Sequence, residues 1–172
     1  MALQEKIRIV LFSLIDLIDA AGQEELVFRP APDSWTLLEC VEHICLVNAA
    51  VANLLSGPPA EGGENKPSEL YSEGKLNHIL VAKREEKRVS PETMKPKGIF
   101  QTAEQAKEMI YKDTERILHI LDREDISKHT QTIPHPRLGE MTKTDWLHFL
   151  IAHTQRHLFQ IEEIKDKYSN SM

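Results

Sequence analysis

Residues 37–55 carry Leu37, Leu38, Val41, Ile44, Cys45, Val47, Val51, Leu54 and Leu55, an apolar surface nearly all the way round a helix. A helix without a polar face has to be enclosed by other elements. Thr36 and Glu39 at its start have capping-box spacing: the hydroxyl takes one orphan amide and the carboxylate reaches back to another. The rest of the chain must therefore supply a shell around this one segment.

Helical partners are available. Between residues 3 and 20, Ile7, Val10, Leu11, Leu14 and Ile18 follow a helical period, and Gly22 stands where a helix stop would. Thr102 and Gln105 repeat the capping spacing and open a helix to about residue 122, with Ala103, Ala106, Ile110, Ile117 and Leu121 on one stripe. The last helix runs from Thr142 to about residue 167, with Asp145 in its first turn where negative charge suits the dipole. A shorter helical stretch around 72–87 ends in the mixed-charge run Lys83–Arg88, which reads as a solvated helix face.

The links are marked by Pro30 and Pro32, by the loop 56–68, by Ser90-Pro91 and Pro96-Lys97-Gly98, and by Pro134-His135-Pro136. There is no strand-like alternation, internal repeat or low-complexity tract. Four long helices of about 25–35 Å and one short one predict an all-α four-helix bundle. It forms a single domain over residues 1–172, with a loop-rich insertion at about 56–100.

Composition narrows the function. Twenty-one Lys and Arg against 27 Asp and Glu leave a net charge of -6, which offers no broad attraction to nucleic acid or anionic lipid. The two cysteines, Cys40 and Cys45, diverge on a helix, so no disulfide framework points to secretion. Asp16 and Asp19 interrupt the N-terminal apolar stretch before it makes a leader, and no run is expected to span a bilayer. The expected address is the cytoplasm.

In the last helix the core stripe reads Leu147, Leu150, His153, His157, Ile161 and Ile164, so two histidines sit inside the apolar seam. Residues i and i+4 lie about 40° and 6 Å apart on a helix, and both rings can converge on one point. Two neutral imidazoles aimed at one point suit a divalent cation. The zincin pattern is not met, because position 154 is Thr, and no general-base Glu accompanies the pair. His43, mid-way along the second helix on a stripe with Cys40, Val47, Ala50 and Leu54, offers a third ligand or is a core histidine bonded to a backbone carbonyl; spacing leaves both readings open. His135, between prolines before the last helix, either reaches the pocket mouth or stiffens its loop. Cys40 is a potential thiolate ligand or a small buried hydrophobe. Arg156 and Gln160 flank the pair: Arg156 toward solvent or a substrate anion, Gln160 toward a ligand ring.

Pro32-x-Ser34-Trp35-Thr36 with Glu39 and His43 resembles the second-helix motif of the DinB-like (YfiT-like) four-helix bundles. His135-Pro136-x-x-Gly139, Met141-Thr142-x-x-Asp145-Trp146 and His153-x-x-Arg156-His157-x-x-Gln160-Ile161 are similar to that superfamily's fourth-helix signature. The resemblance covers most of the chain. It implies an up-up-down-down bundle with a long crossover, and one divalent transition metal (Ni, Zn, Mn or Fe) held by His43, His153 and His157.

The resemblance also implies activities: thiol S-transfer with bacillithiol or mycothiol, maleylpyruvate isomerisation, or none known. The doubled histidine common in bacillithiol transferases is absent, since Glu and Ile flank His43. The expectation is a cytoplasmic homodimer acting on a small molecule. It is a metal-dependent thiol S-transferase or a hydrolase, with His135, Arg156 and Gln160 as candidates for substrate contact. The alternative is a non-catalytic metal-binding or small-molecule-binding bundle with a stress-related role. A closed four-ligand shell including Cys40 would favour a structural metal.

Overall fold

The computed structural model describes residues 1–57, 67, 69–86 and 89–172. Its three longest helices each begin at a threonine that closes a capping box: Thr36 before α3 (Leu37–Ser56), Thr102 before α5 (Ala103–Arg123) and Thr142 before α6 (Lys143–Ser169). The fourth long helix, α1 (Leu3–Asp19), has no side-chain cap and buries Ile7, Val10, Leu11, Leu14, Ile15 and Ile18. Gly22 opens the short helix α2 (Gln23–Val27) instead of closing α1. The all-α four-helix bundle expected from the periodicity is what the chain forms.

α3 packs against both α5 and α6, and α1 packs against the same two helices from the far side. By length and hydropathy α3 could cross a bilayer, contrary to the expectation that no run would; 67% of its apolar window is buried within the bundle, where its all-round apolar surface is satisfied.

Helix directions differ from the expected up-up-down-down order. Gln4 of α1 donates to Asp122 at the end of α5, and Lys107 near the start of α5 pairs with Asp19 at the end of α1, so these helices are antiparallel. Lys143 at the start of α6 reaches the Leu55 carbonyl at the end of α3. Lys165 and Tyr168 at the other end of α6 meet Glu25 and Glu24, just past the end of α1. The order is therefore up-down-down-up. Connection length is the reason: an up-up-down-down bundle needs two long crossovers, and only the stretch between α3 and α5 is long. The shorter links before α3 and after α5 each reverse the chain, at opposite ends of the bundle.

That crossover carries α4 (Glu73–Asn77) and a π-helical turn (His78–Ala82), shorter together than the helix expected at 72–87. Of the mixed-charge run, residues 83–86 lie past the helix end, and 87–88 fall outside the described residues, as does most of the loop expected at 56–68. Asp145, beyond capping Thr142, accepts from the Leu70 and Tyr71 amides at 2.9 and 2.8 Å and ties the crossover to α6. Before α6 the chain forms a small antiparallel hairpin, β1 (Ile133–His135) with β2 (Gly139–Met141), which the sequence reading missed. Three-residue strands are too short for alternation to register.

Candidate metal centre

Antiparallel packing of α3 on α6 brings the first half of α3 against the middle of α6, and His43 meets His153 and His157 there. All three are buried, at 4%, 8% and 6% exposure. The His153 Nε2 lies 3.2 Å from the Nε2 of His43 and 3.2 Å from the Nε2 of His157. One ligand atom from each of the three lies within 4.8 Å of the others.

Neighbours fix how the outer two rings present themselves. His43 Nδ1–H donates to the Met94 carbonyl at 2.7 Å, and His157 Nδ1–H donates to Gln160 Oε1 at 2.8 Å. An oxygen of that kind only accepts, so each Nδ1 carries the proton and each Nε2 turns a lone pair inward. His153 Nδ1 has no hydrogen-bond partner among the described residues. Of the two readings left open by its spacing, His43 meets the backbone-carbonyl one through Nδ1, and its Nε2 lies in the cluster where a third ligand would stand.

Burial pushes all three imidazoles below their usual range. His157 falls to about 3, chiefly by desolvation and then by the neighbouring His43. His153 is lowered well below normal by desolvation and next by His157 and His43. His43 is lowered by desolvation against the opposing pull of Met94. At neutral pH the cluster is uncharged and its lone pairs are available. Two imidazole nitrogens at about 2.1 Å from one ion, in tetrahedral geometry, stand about 3.4 Å apart, close to the observed spacing. The donor set, its protonation and its separation fit a divalent transition metal.

Aromatic rings wall the cluster. Trp35, half-buried, lies 4.8 Å from the His43 ring and 6.2 Å from that of His157. Phe149 stacks on His153 at 5.3 Å. His135 packs against Trp146 and Phe149, and its Nδ1 accepts from the Arg137 and Leu138 amides at 3.1 and 3.2 Å. The ring therefore stiffens the hairpin turn and lies one aromatic ring removed from the histidines.

Arg156 does not face the cluster. Its guanidinium donates to the Leu80, Arg84 and Glu86 carbonyls at 2.8, 2.7 and 3.1 Å, which caps the segment after the π-helical turn. The expectation placed it toward solvent or a substrate anion; these three bonds tie its fork of donors to backbone in and just after the π-helical turn. Gln160, also expected near a ligand ring or a substrate, holds the His157 ring through Oε1. Cys40 is fully buried and stands outside the cluster, and its thiol is pushed up by burial.

Glu42 was missed by the sequence reading. It is 1% exposed and accepts from the Lys97, Gly98 and Ile99 amides. A carboxylate on a helix that is otherwise apolar all round is the signal that could have found it. A groove of about 330 Å³ lined by Ser13, Leu17, Gln155 and Phe159 lies on the opposite face of α6 from the histidines.

A family model described as the DinB superfamily matches residues 12–161. The uncharacterized protein YuaE of Bacillus subtilis (strain 168) is 26% identical over 153 residues, which cover 85% of this chain and 86% of that protein. The crystal structure of TT2238, described as a four-helix bundle protein, covers 94% of this chain and 96% of its own at a TM-score of 0.60 and 17% identity. At that identity the likeness concerns the fold alone.

Proposed function

The chain belongs to the DinB superfamily, and on that premise we propose that it is a cytoplasmic, homodimeric metal-dependent enzyme whose His43, His153 and His157 hold one divalent transition ion. The ion is Ni, Zn, Mn or Fe, and the reaction is transfer of a low-molecular-weight thiol to an electrophile, or hydrolysis. One observation carries the reading: three buried imidazoles converge on a single point, and two of them are held by Met94 and Gln160 with their lone pairs turned toward it.

A divalent ion there would act as a Lewis acid, lowering the pKa of a thiol or water placed on its open side. The chain's own residues bind and orient. The Met94 carbonyl and Gln160 amide oxygen keep His43 and His157 in one tautomer, and neutral rings leave positive charge to be balanced by an incoming anion. Trp35 and Phe149 line the approach with apolar surface and exclude bulk water. With the ion supplying that acidity, a thiol substrate would lose its proton to solvent, and its sulfur would bond to the electrophilic carbon as the leaving group departed with the bonding pair. Among the described residues no carboxylate or thiol joins the cluster, which favours a substrate that brings its own nucleophile.

The test begins with elemental analysis of chain purified without chelator or affinity tag, beside a His153→Ala, His157→Ala double variant. Near-stoichiometric metal in the native chain and none in the variant supports the site. A screen of small thiols, bacillithiol among them, against model electrophiles and esters then separates transfer from hydrolysis. Metal without turnover on any of them would favour the non-catalytic bundle with a stress-related role. No metal after loading with zinc or nickel would overturn the reading.

A further inference from the structure

We infer that Glu42 is a positioning residue for the metal centre: it clamps the strap 92–99 onto α3 and so holds the Met94 carbonyl that orients His43. The inference rests on the reading of the histidine cluster as a metal site and deepens it. Glu42 and His43 are adjacent on α3, and each binds the same strap. The Glu42 Oε1 accepts from the Lys97 amide at 2.6 Å, and its Oε2 from the Gly98 and Ile99 amides at 2.8 and 3.0 Å. The His43 Nδ1–H meets Met94, three residues earlier on the strap, at 2.7 Å.

The strap is shaped for this. A short 3-10 turn, Glu92–Met94, ends at the carbonyl, and Pro96 stiffens the two residues before the amides. Gly98 has φ of +72°, a left-handed conformation that lets successive amides face one carboxylate. Glu42 is 1% exposed, while Lys97, Gly98 and Ile99 are exposed, so the buried carboxylate anchors a surface segment from within. The 3-10 turn of the strap packs on α3. Without the clamp, the Met94 carbonyl has no fixed place, and the His43 ring is free to rotate or to move its proton to Nε2. That is the loss of an outer partner, which weakens metal binding about 10–100-fold.

The experiment uses the full chain with any tag removed, and compares Glu42→Gln, Gly98→Ala and Asp145→Asn with wild type. Asp145 is the control: a fully buried carboxylate that also clamps a crossing segment through backbone amides, about 12 Å along α6 from His153. Zinc affinity is measured by competition with a chromophoric chelator, ligand field by the visible spectrum of the cobalt(II) form, and the His43 tautomer by ring 15N shifts in metal-free protein. Glu42→Gln is expected to weaken zinc about 10–100-fold, alter the cobalt spectrum and lose the Nδ1–H form of His43. Gly98→Ala is expected to move all three in the same direction by less, whereas Asp145→Asn lowers thermal stability and leaves all three at wild type.

Wild-type affinity and spectrum in Glu42→Gln, or an equal loss in Asp145→Asn, overturns the inference. If Glu42→Gln does not fold, Gly98→Ala carries the test, and no loss of affinity there overturns it. If wild type binds no zinc, the metal reading itself fails. The metal-free 15N shifts then decide separately whether Glu42 sets the His43 tautomer.

Discussion

The buried histidines make a sharp claim about acid stability. His157 titrates near 6.5 when unfolded and near 3 in the folded chain, where it is 6% exposed. A base whose folded pKa is depressed contributes stability that is whole above the unfolded value. That stability is lost as pH falls from there toward the folded one, because only the unfolded chain takes up the proton. Between pH 7.5 and 5.0 the unfolded state gains about 2 kcal/mol from this one ring, and the folded state gains almost nothing.

Replacing His157 by Gln, which does not titrate, removes that term. In excess chelator, urea unfolding of the pair is therefore expected to show the variant gaining about 2 kcal/mol on wild type from pH 7.5 to 5.0, whatever their offset at neutral pH. In thermal melts this is about 4–8 °C for a chain of this size. His43 and His153 are lowered in the same direction, so wild type itself loses stability more steeply than one histidine explains. A difference between the two proteins that stays flat with pH would refute the argument. His157 would then be protonated in the folded state, and the cluster would not be a neutral donor set.

Two further outcomes follow from the same geometry. Asp113 on α5 is 5% exposed, with Oδ2 lacking a partner, and burial raises its carboxyl to about 6 against the weaker pull of Arg116 and Lys112. Its charged form costs stability above pH 6, and the cost fades as pH falls toward 4. Asp113→Asn is therefore expected to stabilise by up to about 3 kcal/mol at pH 7.5 and by only about 0.5 kcal/mol at pH 4, measured by denaturant unfolding. Arg156→Lys loses the fork that caps the segment after the π-helical turn, and is expected to cost about 1–3 kcal/mol in thermal unfolding while zinc affinity stays at wild type. Unchanged stability with altered substrate saturation would return Arg156 to the substrate.

Local interactions were legible in the chain itself. The capping boxes at Thr36 and Thr102, the stripes of α1 and α5 and the enclosed character of α3 are each set by residues a few positions apart, so periodicity and spacing decide them. The same holds for His153 and His157, whose four-residue separation on one helix is enough to aim two rings together. Other features depend on segments far apart in sequence. Helix direction turned on where each connection returns the chain, and a hydrophobic stripe reads the same run up or down. His43 joined the cluster, with one nitrogen on Met94 fifty-one residues away, only once α3 lay antiparallel on α6. Glu42, passed over in the sequence, gains its partners only where the strap lays three successive amides across it. The sequence by itself determined which segments are helical and which two histidines share a face. Tertiary structure decided which third histidine joins them and what holds its ring, because hydrogen bonds between distant segments have no period to read.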